Sequence, residues 1–95
     1  MSELTFEWDP EKSRTNLRKH GISFEEAKSV FLDENGLLIG DPDHSDDEDR
    51  FILLGMSVSL NMLVVCHCYR SEDEAVRIIS ARRANKRETK VYKGR

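Results

Sequence analysis

Phe6-Glu7-Trp8-Asp9-Pro10, then Lys12 and Asn16, then Lys19-His20-Gly21-Ile22-Ser23-Phe24, decide how the chain begins to fold. Leu4, Phe6 and Trp8 alternate with other residues, which predicts a short strand. Asp9-Pro10 is a helix start: Asp accepts from the free amides of the first turn, and Pro suits the first helical position. The helix runs to about His20, where Gly21 can adopt the left-handed stop. Ser23 with Glu26 forms a capping box for a second helix, whose Phe24, Ala27, Val30 and Phe31 recur at helical spacing as a core face. That helix ends near Asp33, ahead of Asn35-Gly36.

Working outward, residues 37–39 predict a second strand and residues 41–49 an acidic loop. Residues 50–56, 62–70 and 75–82 predict three more strands, and residues 84–92 a last helix. The order is β-α-α-β-β-β-β-α, an α+β fold. Four consecutive strands on short turns imply an antiparallel meander, with helices packed on one face of it. On the fifth strand the pattern does not choose a core face. Arg77, Ile79, Ala81 and Arg83 share one parity; Val76, Ile78, Ser80 and Arg82 share the other, and both sets contain apolar groups.

Ninety-five residues fit a single domain, since two small cores would each be marginal. At 38% hydrophobic and 35% charged, the chain can bury one core but stays polar. Met1 to Asp9 lacks a basic start and an apolar run, so no signal peptide is expected. Met62 to Cys66 is too short to span a membrane. A reduced cytoplasm is the expected setting. Cys66 and Cys68 would share a strand face and could hardly bridge without strain. Net charge is −3, unevenly spread: residues 41–69 hold 6 acidic and 1 basic side chain, residues 70–95 hold 9 basic and 4 acidic. The basic end suits an anionic partner, or simply a solvated tail.

The first helix has little apolar surface beyond Leu17. Lys12, Asn16 and Lys19 or His20 fall on one face and could grip phosphate. His20 adds an imidazole, a side chain suited to general acid–base work. The competing reading is that Asn16 and His20 bond backbone near the helix stop. Arg50, Arg70, Arg77, Arg82 and Arg83 lie at strand ends, and Arg offers phosphate a planar fork. Alternatively they form surface ion pairs. Glu48 is a candidate for proton transfer. Asp41, Asp43, Asp46 and Asp47 lack the glycine and terminal glutamate of a calcium loop, and Cys66-His67-Cys68 has no second ligand pair for zinc. No metal or cofactor is expected.

These residues resemble the BrnT family of toxins from bacterial type II toxin–antitoxin pairs. The likeness rests on Phe6-Glu7-Trp8-Asp9, Lys12, Asn16, Lys19-His20-Gly21-Ile22, Phe24, Ala27, Phe31 and Asp33. It resumes at Glu48-x-Arg50 and Gly55, and ends with Arg77-Ile78-Ile79-Ser80-Ala81-Arg82, Ala84, Arg87-Glu88 and Tyr92. The resemblance implies a fold like the RelE-like ribonuclease toxins and RNA cleavage that inhibits translation. It also implies a BrnA-type antitoxin, with which the toxin would repress its own promoter; DNA would be met only through that complex. A homodimer or a two-plus-two complex is compatible with it. The acidic loop before Glu48 is more heavily charged than the family pattern suggests.

On this reading RNA is cut without a metal. Arg50, Arg77 and Arg82 are the expected charge stabilisers, and His20 or Glu48 the acid–base group. Lys12, Lys19, Arg70 and Arg83 are the expected RNA-binding cations. Two other classes remain open: a non-enzymatic binding module gripping its partner through the basic C-terminal third, and a degenerate toxin serving only as co-repressor.

Overall fold

A computed structural model describes residues 4–41, 50–70 and 75–94. Its elements are β1 (Thr5–Glu7), α1 (Pro10–His20), α2 (Phe24–Ser29) with a 3-10 turn at Val30–Leu32, β2 (Leu37–Gly40), β3 (Arg50–Met56), β4 (Met62–Arg70), β5 (Ala75–Arg83) and α3 (Lys86–Lys93). The helix signals act where the sequence places them. The Asp9 side chain accepts from Glu11 N, Ser23 accepts from Glu26 N, and Gly21 closes α1 at φ 72°. Only half of the expected capping box forms, because the Glu26 carboxylate accepts from Ser57 Oγ and Asn61 Nδ2 and does not return to Ser23.

The five strands lie in the order β1-β5-β4-β3-β2. β2 to β5 pair antiparallel in sequence order. β1, however, pairs with β5 in parallel, Phe6 opposite Val76, so the sheet is mixed and not a pure antiparallel meander. The cause is α1 and α2, which carry the chain across the sheet before the meander begins.

Ile22, Phe24, Ala27 and Val30 pack on Leu53, Leu63, Val65, Val76, Ile78 and Ala81 to make the core. Trp8 meets Phe24 edge-on at 5.9 Å, and Phe6 meets Phe31 at 5.1 Å. Gly55 lets the 3-10 turn approach, since a Cβ there would stand 2.9 Å from Val30 Cγ1.

Not every helix lies on that face. Leu54 and Val64 are cross-strand partners of opposite parity to the core, yet both are buried. α3 packs against β3, and its Glu88 bonds Arg82, which stands opposite Val64 in the ladder. α3 therefore covers part of the second face, correcting the expectation of helices on one face only. Tyr92 fastens its far end, donating to Asp33 Oδ2 at 2.7 Å. Its amphipathic pattern did not reveal which side of the sheet it would join.

β1 is too short to pair the whole of β5, and Asn16 takes over where it stops. Its Nδ2 donates to the carbonyls of Ala81 (2.8 Å) and Ile22 (2.9 Å), and its Oδ1 accepts from Ala81 N (3.0 Å). The carboxamide thus stands in for a missing strand residue. It is also the one buried residue of α1.

Asn16→Ala should cost about 3 kcal/mol, because buried backbone groups of Ala81 and Ile22 lose their partners; urea denaturation measures this. His67 supplies a second test. It is fully buried against Phe31, Phe51 and Tyr69, and its Nδ1 donates to the Val65 carbonyl at 3.1 Å. Burial lowers its pKa below the ordinary 6.5, while the bond to Val65 acts the other way. The unfolded chain therefore takes up this proton more readily. The stability contributed by neutral His67 is complete above about pH 6.5 and declines as pH falls below it. His67→Phe should flatten this part of a Tm-against-pH curve.

Candidate functional site

The ladder between β4 and β5 slips once. Cys66 stands opposite Ser80, but His67 stands opposite Ile78, so Ile79 is an extra residue in β5. This bulge exchanges the two parities part-way along the strand. Val76 and Ile78 face the core before it, and Ala81 does so after it. Arg77 before it and Ser80 and Arg82 after it consequently share the opposite face. The ambiguous pattern of β5 is thus two half-patterns joined at Ile79.

Three rows of side chains cross that second face. One runs Arg50, Cys68, Arg77 and Glu7; the next Ile52, Cys66 and Ser80; the third Leu54, Val64 and Arg82. Between them lies a shallow hollow of about 350 Å³, whose polar lining is Asp41, Arg50, Cys66, Ser80 and Arg82. Arg70 has the parity of Cys66 and Cys68 and is exposed at the end of β4. Arg50, Arg70, Arg77 and Arg82 therefore stand on one face. Arg83 does not: it shares the parity of Ala81 and donates to Asn61 Oδ1 at 2.7 Å.

Two of these arginines carry carboxylate partners that the sequence had not singled out. Arg77 Nη1 lies 2.7 Å from Glu7 Oε2 on the neighbouring parallel strand. Arg82 donates through Nη1 and Nη2 to the two oxygens of Glu88, each at 2.8 Å. The second Nη1 bond, at 3.3 Å, goes to the Arg83 carbonyl. With Glu88 on the end of the guanidinium, the Nε edge has no acceptor among the described residues. Hydrogen bonding to Glu88 holds the Arg82 pKa above its ordinary value and, from the other side, lowers that of Glu88. Glu88 also accepts from Asn85 N while Asn85 accepts from Glu88 N, a capping box for α3. The Asn85-x-x-Glu88 spacing was a visible signal of it. Glu7 was not legible, because nothing local reveals a parallel neighbour.

Cys66 lies within the hollow but makes a poor nucleophile. Burial and then Asp41 push its thiol pKa up, against Arg50 and a hydrogen bond with Ser80. Lys12 and Lys19 are exposed on α1, and His20 is half-buried in its last turn. None of the three lines the hollow. Glu48 lies outside the described residues, as do Asp43, Asp46 and Asp47.

A family model described as the ribonuclease toxin BrnT of type II toxin–antitoxin systems matches residues 8–88. The chain belongs to the BrnT family. It is therefore a ribonuclease toxin, an endoribonuclease by family, and one with an antitoxin as partner. Its fold is similar to the crystal structure of the Brucella abortus ribonuclease toxin BrnT, with a TM-score of 0.66. The two are 24% identical, and the match covers 88% of this chain and 100% of that one. No curated protein sequence matches the chain. Among the described residues no helix is long and apolar enough to cross a membrane.

Within this BrnT chain, Glu88 and Arg82 should separate in a stability measurement. Glu88→Ala removes both a helix cap and an ion pair and should cost about 1–2 kcal/mol. Arg82→Ala removes the partly exposed pair and the long bond to the Arg83 carbonyl but leaves the cap, and should cost about 1 kcal/mol or less. Urea midpoints of the two variants check this.

Proposed function

We propose that the chain cleaves RNA at the arginine hollow by metal-independent phosphodiester chemistry. The 2′-hydroxyl oxygen attacks the adjacent phosphorus, and the bond from phosphorus to the 5′-oxygen breaks. The products are a 2′,3′-cyclic phosphate and a 5′-hydroxyl. A base takes the 2′-hydroxyl proton, and an acid delivers one to the departing 5′-oxygen. Arg50, Arg77 and Arg82 stabilise the charge that accumulates on the five-coordinate phosphorus. The observation that supports this most is the common face of these arginines, two of which line a single hollow.

Proton transfer falls to Glu48 or His20. Glu48 precedes Arg50 by two positions in the chain, whereas His20 ends α1 and does not line the hollow. That favours Glu48. Lys12, Lys19 and Arg70 are read as phosphate contacts at the margins. Arg83, held by Asn61 on the other face, is left out of the reading.

The rest of the reading follows the family likeness. The fold is taken as RelE-like, the antitoxin as BrnA-type and covering the arginine face, and the setting as cytoplasmic. The toxin and antitoxin together would repress their promoter, in a complex that admits two copies of each. In a second reading, a degenerate toxin acting as co-repressor, the ion pairs of Arg77 with Glu7 and Arg82 with Glu88 are purely structural.

Purified protein should cut RNA equally well with and without EDTA, and Arg50→Ala should lower kcat by about 10²-fold or more. Loss of cleavage in EDTA would refute the metal-free chemistry. Expression without antitoxin should stop growth; continued growth would favour the co-repressor.

A further inference from the structure

The arginine hollow is not strongly positive. Glu88 offsets Arg82, Glu7 offsets Arg77, and Asp41 lies in the lining beside Arg50. The whole chain carries a net charge of −3. A polyanion therefore needs attraction from outside the hollow, because backbone phosphates supply most of the affinity in sequence-independent nucleic-acid binding.

α3 supplies it. Lys86, Arg87, Lys90 and Lys93 are all exposed, and none forms an ion pair with the described residues. Lys86, Lys90 and Lys93 recur at spacings of four and three, so they form one stripe about 10 Å long. Lys86, Arg87 and Lys90 border one shallow depression. The helix has a single acid, Glu88, and that acid is engaged with Arg82. The same contact brings the start of the helix to the rim of the hollow. Tyr92 fixes the other end through Asp33.

We infer that α3 is a phosphate-binding rail, along which Lys86, Arg87, Lys90 and Lys93 hold the RNA strand flanking the hollow. This rests on the reading of the hollow as the cleavage site and extends it to a separate surface. Glu88 joins the two: it fixes Arg82 and, through the same hydrogen bonds, the position of the rail. The rail contacts backbone and not bases, so it adds affinity without sequence preference.

The test uses the full chain and a 2′-O-methyl oligoribonucleotide, which lacks the attacking hydroxyl and stays intact. Lys86→Gln/Lys90→Gln/Lys93→Gln should raise its Kd by about tenfold or more. The slope of log affinity against log salt should shrink by about 2, at about 0.7 for each lost single-strand phosphate contact. The matching triple Lys→Arg variant keeps the charges and should bind like the wild type. On cleavable RNA the Gln variant should raise KM and leave kcat unchanged. Unchanged Kd and salt slope would overturn the rail; if antitoxin affinity fell instead, the surface belongs to the antitoxin. If the Gln variant loses binding but the wild type cuts no RNA, the cleavage reading falls while the rail stands.

Discussion

The rest of the molecule depends on the contact between the Asn16 carboxamide and the backbone of Ala81. β5 is the strand around which the fold is organised, since it pairs with β4 on one side and with β1 on the other. β1 ends at Glu7, opposite Arg77, and beyond that point the outer edge of β5 would be buried without partners. Asn16 donates to the Ala81 carbonyl and accepts from its amide, as a strand residue would. One continuous stretch therefore completes one strand edge twice, first with β1 and then with a side chain of α1. A buried amide and carbonyl cost too much to leave unpaired, so the position of α1 is set by hydrogen bonding more than by apolar packing. That accounts for a helix with almost no apolar face.

The second constraint is the bulge at Ile79. Without it, strict alternation would put Arg77 on one face and Arg82 on the other. With it, Arg77, Ser80 and Arg82 meet Arg50 and Cys66 on one side, while Val76, Ile78 and Ala81 stay in the core. Bulges often redirect side chains near functional sites, and this one gathers the guanidiniums that sequence alone left divided. The partners of those guanidiniums come from elements remote in sequence: Glu7 from the first strand, Glu88 from the last helix.

What was legible in the sequence was local. The caps at Asp9 and Ser23, the stop at Gly21 and the limits of β3 and β4 all rest on signals within a few residues, and the structure has them in those places. What was not legible was pairwise and distant. The parallel pairing of β1 with β5, the side of the sheet that α3 covers and the shift at Ile79 each depend on contacts between separated segments. Of the two readings offered for Asn16, a grip on phosphate and a bond to backbone near the helix stop, the buried side chain follows the second: its bond to Ile22 is local, while its bonds to Ala81 cross 65 positions of chain and had no local signal. For the site, arginine positions at strand ends were visible, whereas their distribution between the two faces was not.

Arg82 and Arg83 are adjacent in sequence and opposite in the fold, which makes them the sharpest comparison for the claim that one face of the sheet cleaves RNA. Rates of RNA cleavage by purified Arg82→Ala and Arg83→Ala, each with folding checked by circular dichroism, would decide it. A loss of about 10²-fold for Arg82→Ala is expected, with Arg83→Ala close to the wild type. Equal losses, or a larger loss for Arg83→Ala, would contradict the assignment of catalysis to the arginine hollow.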